Sequence, residues 1–277
     1  MDCYISYLKG HSKDVTCLSS FNNLLASSSE DGTVRIWDQT SQKSIRRLTD
    51  PQFFPSNPVE NVSLHNFSVY LTSSNSLYEF DIRNPSKIIL PESHSTLSFP
   101  EDISSIDQTD SKALICLDNG DFIVLDKPSK ETTSSFTPHN NVRTIQVCAG
   151  MFFMQDLIVS AGFDCKVMLS QTDGQVVSGV NLENIFANGG FNPPHVYGLS
   201  VKENLVAFAL GNGNLCVFEH RDRLVGTRNF KAHEERVMCV NFCRFGDLIV
   251  SASNSDLAFW RENEFKRVGL GCKVIER

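Results

Sequence analysis

The fourteen residues 24–37, LLASSSEDGTVRIW, place an apolar start and three serines before an Asp-Gly pair and a second apolar run. In the second run Val34 and Ile36 alternate with Thr33 and Arg35, the period of two that indicates a β-strand. An Asp-Gly pair supplies the positive φ of a tight hairpin turn. The stretch therefore predicts two antiparallel strands joined by a two-residue turn.

Degraded copies of this pattern recur along the chain at intervals of 42 to 48 residues. Aligned without gaps, the copies end at Trp37, Phe80, Leu125, Ser170, Phe218 and Trp260. A turn former stands six residues before each end: Asp31, Ser74, Asn119, Asp164, Asn212 and Asn254. Alternation between such turns favours strands over a helical array of similar period.

Short apolar runs extend each strand pair on both sides. Five copies are preceded by such a run, at Val15–Leu18, Ile103–Ile106, Val142–Val147, Val196–Val201 and Val237–Phe242. A further run, Ser44–Leu48, follows the first copy. Four antiparallel strands per unit, repeated radially, predict an all-β fold, a β-propeller.

Two dipeptides frame the first repeat, Gly10-His11 at its start and Trp37-Asp38 at its end. With these motifs the chain resembles the WD40 repeat family, and the resemblance covers nearly all of it. It implies a WD40-type β-propeller in which the indole of Trp37 meets Ser27, and Ser27 meets His11. His11 in turn meets Asp31, which completes a buried network that fixes one arrangement of the blade.

Two other repeats keep most of this network. The fourth has His139, Ser160 and Asp164, with Ser170 where tryptophan is expected. The sixth has His233, Ser251 and Trp260. Its turn is one residue shorter, so we expect Asn254 or Ser255 in the aspartate position. In the remaining repeats the serine position holds Tyr70, Ile115 and Phe208, which we expect to pack as core.

A Ser–His–Asp set also invites comparison with a hydrolase. A nucleophilic serine needs exposure and donors for the developing oxyanion, whereas the implied network places serine between an indole and an imidazole. We therefore expect no catalytic residue, and the sequence contains no Walker or HExxH motif. His195 and His233 occupy the repeat-start position, which favours a bracing role over metal binding, so we expect neither metal nor cofactor.

The chain length of 277 residues fits a single domain, residues 1–277. Six recognisable repeats leave two alternatives open, six blades or seven with a truncated last blade. In either case we expect Cys3–Leu8 to supply the outer strand of the final blade.

Composition narrows the setting in which the protein works. A formal net charge of −7 argues against sequence-independent binding of nucleic acid. We find no signal peptide and no membrane helix. Nine scattered cysteines without a C-x-x-C pair fit a reducing cytoplasm or nucleus. We expect a chain that is monomeric outside its complex.

The second repeat ends in Phe80-Asp81-Ile82-Arg83. In WD40 proteins a W-D-x-R ending resembles the box by which substrate receptors dock onto the DDB-type adaptor of cullin–RING ubiquitin ligases. Here Phe80 replaces the tryptophan, and Asp81 and Arg83 would contact the adaptor. The alternative is an exposed arginine that begins a turn.

Two long loops, residues 50–58 and 186–194, carry the aromatic residues Phe53, Phe54, Phe186 and Phe191. Both precede the first strand of a repeat, so we expect them on one face, where they would bind a protein partner. The alternative is that these rings pack onto their own blades and bind no partner.

Three functions remain open at this point. The first is a non-catalytic scaffold for protein–protein interaction, most specifically a substrate receptor of a cullin–RING ligase. The second is a scaffold of an unrelated chromatin or trafficking complex. The third is an esterase, because a few WD40 proteins, such as those of the diphthine methylesterase type, hydrolyse esters.

Overall fold

The computed structural model describes residues 7–49, 57–83, 89–90, 95–139, 150–154, 157–186, 192–220, 223–243, 248–261 and 264–269. Within these ranges the chain forms twenty-five strands and one helix of four residues, α1 (Leu182–Ile185). The predicted all-β class is confirmed.

The strands form six sheets in which neighbouring strands pair in antiparallel order, except for one short parallel strand at the edge of the first sheet. The first two sheets are β1 (Val15–Phe21), β2 (Leu24–Ser29), β3 (Val34–Asp38), β4 (Lys43–Leu48), β5 (Asn61–His65), β6 (Ser68–Ser73), β7 (Ser76–Asp81), β8 (Ile89–Leu90) and β9 (Ser95–Ser98). The third and fourth are β10 (Ile103–Gln108), β11 (Lys112–Leu117), β12 (Phe122–Asp126), β13 (Thr132–Phe136), β14 (Gly150–Met154), β15 (Leu157–Ala161), β16 (Lys166–Gln171) and β17 (Val176–Asn181). The fifth and sixth are β18 (Val196–Lys202), β19 (Leu205–Leu210), β20 (Asn214–His220), β21 (Leu224–Lys231), β22 (Cys239–Phe242), β23 (Leu248–Ala252), β24 (Asp256–Arg261) and β25 (Glu264–Gly269).

The turn inside the first repeat is wider than predicted. β2 ends at Ser29 and β3 begins at Val34, so four residues connect them instead of two. The amide of Gly32 donates to the carbonyl of Ser29 at 3.2 Å, and Gly32 has a φ of 72°. The Asp-Gly pair therefore supplies positive φ at its glycine, as predicted, but within a four-residue loop. Among the six described hairpins that join the second and third strands of a repeat, the one in the second repeat alone has a two-residue turn, between Ser73 and Ser76.

A β-bulge recurs where the third strand of a repeat meets the fourth. In the first repeat the register shifts between Ile36 and Trp37, so that one residue of β4 has no partner. The same shift occurs at the corresponding position in three further repeats, before Leu125, Ser170 and Phe218. A bulge bends and twists the outer strand. Its fixed place at the last residue of the repeat shows that these units share one backbone design.

Two compact units divide the chain, residues 1–113 with 127–129 and residues 114–126 with 130–277, and the boundary falls within β11. In the first unit a buried cluster joins Ala26, Ile36 and Leu48 of the first sheet to Val62 and Leu71 of the second. In the second unit one cluster links the fourth and fifth sheets, and another links the fifth and sixth. Strand alternation supplies the apolar side chains on the inward faces.

The short strand β8 joins the first sheet instead of the second. It pairs in parallel with β4, so that Arg47 lies opposite Ile89 and Leu48 opposite Leu90. The amide of Thr49 donates to the carbonyl of Leu90 at 3.0 Å. β8 therefore covers part of an edge that would otherwise present unpaired backbone groups.

Two strand predictions fall on residues outside the described ranges. They are Val142–Val147 and most of Cys3–Leu8, of which the structure describes residues 7 and 8. The strand that pairs with β15 is β14, with Met151 opposite Ser160. The single domain over residues 1–277 stays a prediction.

Candidate functional site

In the first repeat, the structure places the four side chains of the implied network in one hydrogen-bonded chain. Trp37 Nε1 donates to Ser27 Oγ at 2.8 Å, and Ser27 Oγ lies 2.8 Å from His11 Nε2. His11 Nδ1 lies 3.1 Å from Asp31 Oδ2. Since Ser27 Oγ accepts from the indole, its own proton is available to His11 Nε2, and Nδ1–H of His11 then donates to Asp31.

Asp31 is the point at which this network meets the backbone. Its carboxylate accepts from the amides of Ser12 and Thr33 at 3.0 and 3.1 Å, and from the hydroxyl of Thr33 at 2.6 Å. Burial alone would raise the pKa of Asp31. The hydrogen bonds from Thr33, Ser12 and His11 together outweigh it and lower the pKa of Asp31 to about 2.

The fourth repeat contains the same geometry without an indole. His139 lies 2.9 Å from Ser160 Oγ and 2.9 Å from Asp164 Oδ2. Ser170, in the tryptophan position, is buried, and its Oγ has no partner among the described residues. The hydroxyl of Ser160 therefore forms a hydrogen bond with one buried nitrogen, whereas that of Ser27 forms hydrogen bonds with two.

The sixth repeat corrects the predicted aspartate position. His233 Nδ1 contacts Asp256 Oδ1 at 2.5 Å, so the prediction of Asn254 or Ser255 was wrong. His233 Nε2 lies 2.7 Å from Ser251 Oγ, which also accepts from Trp260 Nε1 at 3.0 Å. Asp256 is the first residue of β24, and the shorter turn brings it to the place that a loop residue holds in the other repeats.

Arg267 is a member of the sixth network that sequence reasoning missed. From β25 its Nε reaches Asp256 Oδ2 at 3.0 Å, and its Nη2 donates to the carbonyl of Ala232 at 2.6 Å. The signal was not local, because the pairing of β24 with β25 sets Arg267 opposite Ala258, two residues beyond Asp256.

The other repeats replace serine with larger apolar side chains. Tyr70, Ile115 and Phe208 are all buried. These positions fill space that a polar network occupies elsewhere, which gives those blades apolar bracing.

The networks offer poor chemistry for hydrolysis. Ser27, Ser160 and Ser251 are buried, and each hydroxyl is within hydrogen-bond distance of a histidine. A substrate carbonyl has no access to these oxygens in this arrangement.

A Cys–His contact in the second unit is a further arrangement that resembles a catalytic pair. Cys165 Sγ lies 3.4 Å from His195 Nδ1, and the same nitrogen contacts the carbonyl of Phe163 at 2.5 Å. Burial, followed by the charges of Glu183 and Asp164, raises the pKa of Cys165 to about 11. The thiol stays protonated at neutral pH, which disfavours nucleophilic chemistry.

The residues predicted for partner binding divide into three cases. Arg83 is exposed over 73% of its side chain and forms an ion pair with Asp81. Phe186 is half-buried, packs against the core of the second unit and caps α1, so its ring lies on its own blade. Phe53, Phe54 and Phe191 lie outside the described residues.

Asp81 holds Arg83 through several hydrogen bonds. Its carboxylate accepts from the backbone amide of Arg83 at 2.9 Å and from Nε at 3.0 and 2.7 Å. Nη2 donates to the same group. These hydrogen bonds, and then the charge of Asp81, raise the pKa of Arg83 above its usual value. The guanidinium is thus a permanently charged group in a fixed place.

The described residues contain no group of three or more histidine, cysteine, aspartate or glutamate side chains arranged to hold a metal ion. No helix among them is long and apolar enough to cross a membrane.

The described residues form six β-sheets, three of which carry a Ser–His–Asp network, and this arrangement is similar to that of WD40 repeat proteins. The family model "WD domain, G-beta repeat" matches residues 2–38 and 224–261, which are the two repeats that keep the tryptophan.

Among characterised sequences, the chain is similar to the WD repeat-containing protein 53 homolog of Dictyostelium discoideum. The two are 28% identical over 239 residues, which cover 76% of this chain and 64% of that protein. A shorter similarity, 40% identity over 47 residues, links it to the probable E3 ubiquitin ligase complex SCF subunit sconB of Talaromyces marneffei. It covers 17% of this chain and 7% of that protein.

Solved structures agree with the fold. The WD40 beta propeller domain of Doa1 superposes with a TM-score of 0.74 at 17% identity, covering 96% of this chain and 86% of that domain. A chain of the Mitotic Checkpoint Complex gives a TM-score of 0.73 at 17% identity, covering 90% and 77%.

Proposed function

We propose that this protein is a non-catalytic scaffold that binds other proteins, and that Arg83 docks it as a substrate receptor onto a DDB-type adaptor of a cullin–RING ubiquitin ligase. The observation that carries the proposal is that Arg83 is both exposed and held in a fixed orientation. Its side chain is 73% exposed, yet Asp81 holds its guanidinium in one orientation. An exposed arginine that is already ordered loses less conformational entropy when a partner binds.

The bonds to Asp81 leave part of the guanidinium available. They use Nε and Nη2, and Nη1 has no acceptor among the residues that the structure describes. A planar guanidinium fixed at one edge presents its remaining N–H groups to a carbonyl or carboxylate of the partner. Arginine is enriched among the residues that dominate binding energy at interfaces.

Similarity to ligase subunits adds modest support. The match to sconB names an SCF subunit, but it extends over 47 residues. That length is about one repeat, so it supports the ligase assignment less than Arg83 does.

A scaffold role agrees with the polar networks and the free thiols. The serine hydroxyls are buried and bonded, and burial raises the pKa of Cys165 and Cys216 to about 11 and about 12. We place the protein in the cytoplasm or nucleus, where free cysteines persist. We also propose that it is monomeric outside its complex and binds no nucleic acid.

The test is adaptor binding by the Arg83→Ala variant. We expect affinity to fall by about tenfold or more, the loss of one interface hot spot. Arg83→Lys keeps the charge but loses the planar fork and should give an intermediate loss. Arg228→Ala, which removes an exposed arginine from β21, is the matched control.

Unchanged adaptor recovery with Arg83→Ala would overturn the ligase assignment. Affinity purification with mass spectrometry from cells that express either form would then show whether an unrelated assembly is retained. A partner set independent of Arg83 favours a chromatin or trafficking scaffold.

A further inference from the structure

A cavity of about 310 Å³ opens beside Arg83 in the first unit. It lies between the β5–β6 turn, the end of β7 and the β10–β11 turn. The lining side chains that determine its charge and its aromatic surface are Phe67, Glu79, Asp81, Arg83, Asp110 and Lys127. The volume suits one long side chain of a partner.

Charge in the lining favours a cation. Among these side chains three carboxylates face two cations, an excess of one negative charge. Arg83 is neutralised by Asp81. Lys127 donates to Gln108 Oε1 at 2.8 Å and to the carbonyl of Thr109 at 2.9 Å.

Asp110 provides a carboxylate with a fixed orientation. Its Oδ1 accepts from Nε2 of His65 at 3.0 Å and from Nδ2 of Asn66. Its Oδ2 accepts from no donor among the described side chains, and the residue is 80% exposed. One oxygen is therefore anchored while the other remains available to a ligand, the arrangement that favours a charge-assisted hydrogen bond.

An aromatic ring lines the same cavity. Phe67 is 54% exposed, at the tip of the turn that Asn66 forms with a φ of 53°. A phenylalanine in a short turn has no core to fill, and its face attracts a cation. Guanidinium is planar, so it can stack on a ring while its edge donates to a carboxylate, which an ammonium group cannot do.

We infer that this cavity binds an arginine side chain from a protein partner, with Asp110 accepting from the guanidinium and Phe67 stacking on it. The inference rests on the proposed function in that both place a protein partner at this face. It adds the chemistry of that partner, an arginine next to the group that Arg83 contacts.

The experiment titrates the whole chain, labelled with ¹⁵N, with acetyl-Gly-Arg-Gly-amide and follows the amide resonances of residues 65–68. We expect saturable shifts with a millimolar Kd. The same peptide with citrulline, which keeps the shape but lacks the charge, should bind at least about fivefold more weakly.

Asp110→Asn should weaken binding of the arginine peptide by about fivefold and remove the preference over citrulline. Phe67→Ala should weaken it by a few-fold. Asp102→Asn, an exposed aspartate outside the cavity, is the matched control and should leave binding unchanged.

Equal binding of the arginine and citrulline peptides, or no saturable shift at residues 65–68, would overturn the inference. So would preferential binding of acetyl-Gly-Glu-Gly-amide. Arg83→Ala separates the two proposals, since it should lower adaptor affinity by about tenfold or more without weakening binding of the arginine peptide. Adaptor binding that survives this change while the peptide still binds would reject the proposed function and keep the cavity site.

Discussion

The indole of Trp37 donates to Ser27 Oγ at 2.8 Å, and both side chains are 3% exposed. The same oxygen lies 2.8 Å from His11 Nε2. One hydroxyl thus satisfies two buried nitrogen atoms. Its loss would leave the indole nitrogen of Trp37 without this acceptor and His11 Nε2 without this hydroxyl, and an unsatisfied buried group costs more than the bond it made.

Ser27→Ala should therefore lower the free energy of unfolding by about 2–4 kcal/mol. Ser160→Ala is the matched comparison, because Ser160 satisfies His139 without an indole, and its loss should cost about 1–2 kcal/mol. Urea denaturation followed by tryptophan fluorescence measures both. Equal losses for the two variants would show that the indole bond adds nothing.

Asp256 should matter to the sixth blade and Asn254 should not. Asp256 contacts both His233 and Arg267, so Asp256→Ala removes the acceptor of a buried imidazole nitrogen and of Arg267 Nε. We expect a loss of about 2–3 kcal/mol in the free energy of unfolding. Asn254→Ala should stay within about 0.5 kcal/mol. If the two variants are equally stable, the hydrogen bond from His233 to Asp256 is not the one that braces the blade.

How much of this fold the sequence predicts depends on the range of the interaction. Strand alternation and a turn former at a fixed spacing are local, so repeats are found even where the tryptophan has become Leu125 or Ser170. This local approach fails to identify the aspartate of the sixth repeat. A gap-free alignment counts six residues back from Trp260 to Asn254, whereas the shorter turn moves the function to Asp256.

Other features arise from pairing between distant segments. Arg267 reaches Asp256 because β25 pairs with β24, and Asp110 reaches His65 although forty-five residues separate them. Neither pair has a local signature. The box that ends in Arg83 was visible in the sequence, but the cavity beside it needs two turns and the end of β7 brought together by the fold.

The parallel strand β8 offers a test of edge protection in the first sheet. Leu90 is 9% exposed within the apolar cluster of the first unit, whereas its neighbour Ile89 is 53% exposed. Leu90→Ala should cost about 2–3 kcal/mol of unfolding free energy, and Ile89→Ala less than about 0.5 kcal/mol. Thermal denaturation of the two variants provides the comparison, and a Leu90 variant as stable as the Ile89 variant would mean that β8 does not contribute to the fold.

Acid should weaken the protein through Asp31. Its pKa is about 2 in the folded chain against 3.8 for the ordinary side chain, because hydrogen bonds from Thr33, Ser12 and His11 outweigh the effect of burial. A lowered pKa means that the unfolded chain binds the proton more readily. The stabilisation is therefore present above about pH 4 and is lost as the pH falls toward 2.

We expect this carboxylate to contribute about 1–2 kcal/mol after allowance for solvent screening. Measured from pH 7 to pH 2, the free energy of unfolding of Asp31→Asn should therefore fall less steeply than that of the unsubstituted chain. Asp173→Asn, an exposed carboxyl on the β16–β17 turn, should follow the unsubstituted chain. Parallel curves for the unsubstituted chain and Asp31→Asn would mean that the network does not hold Asp31 in its charged form.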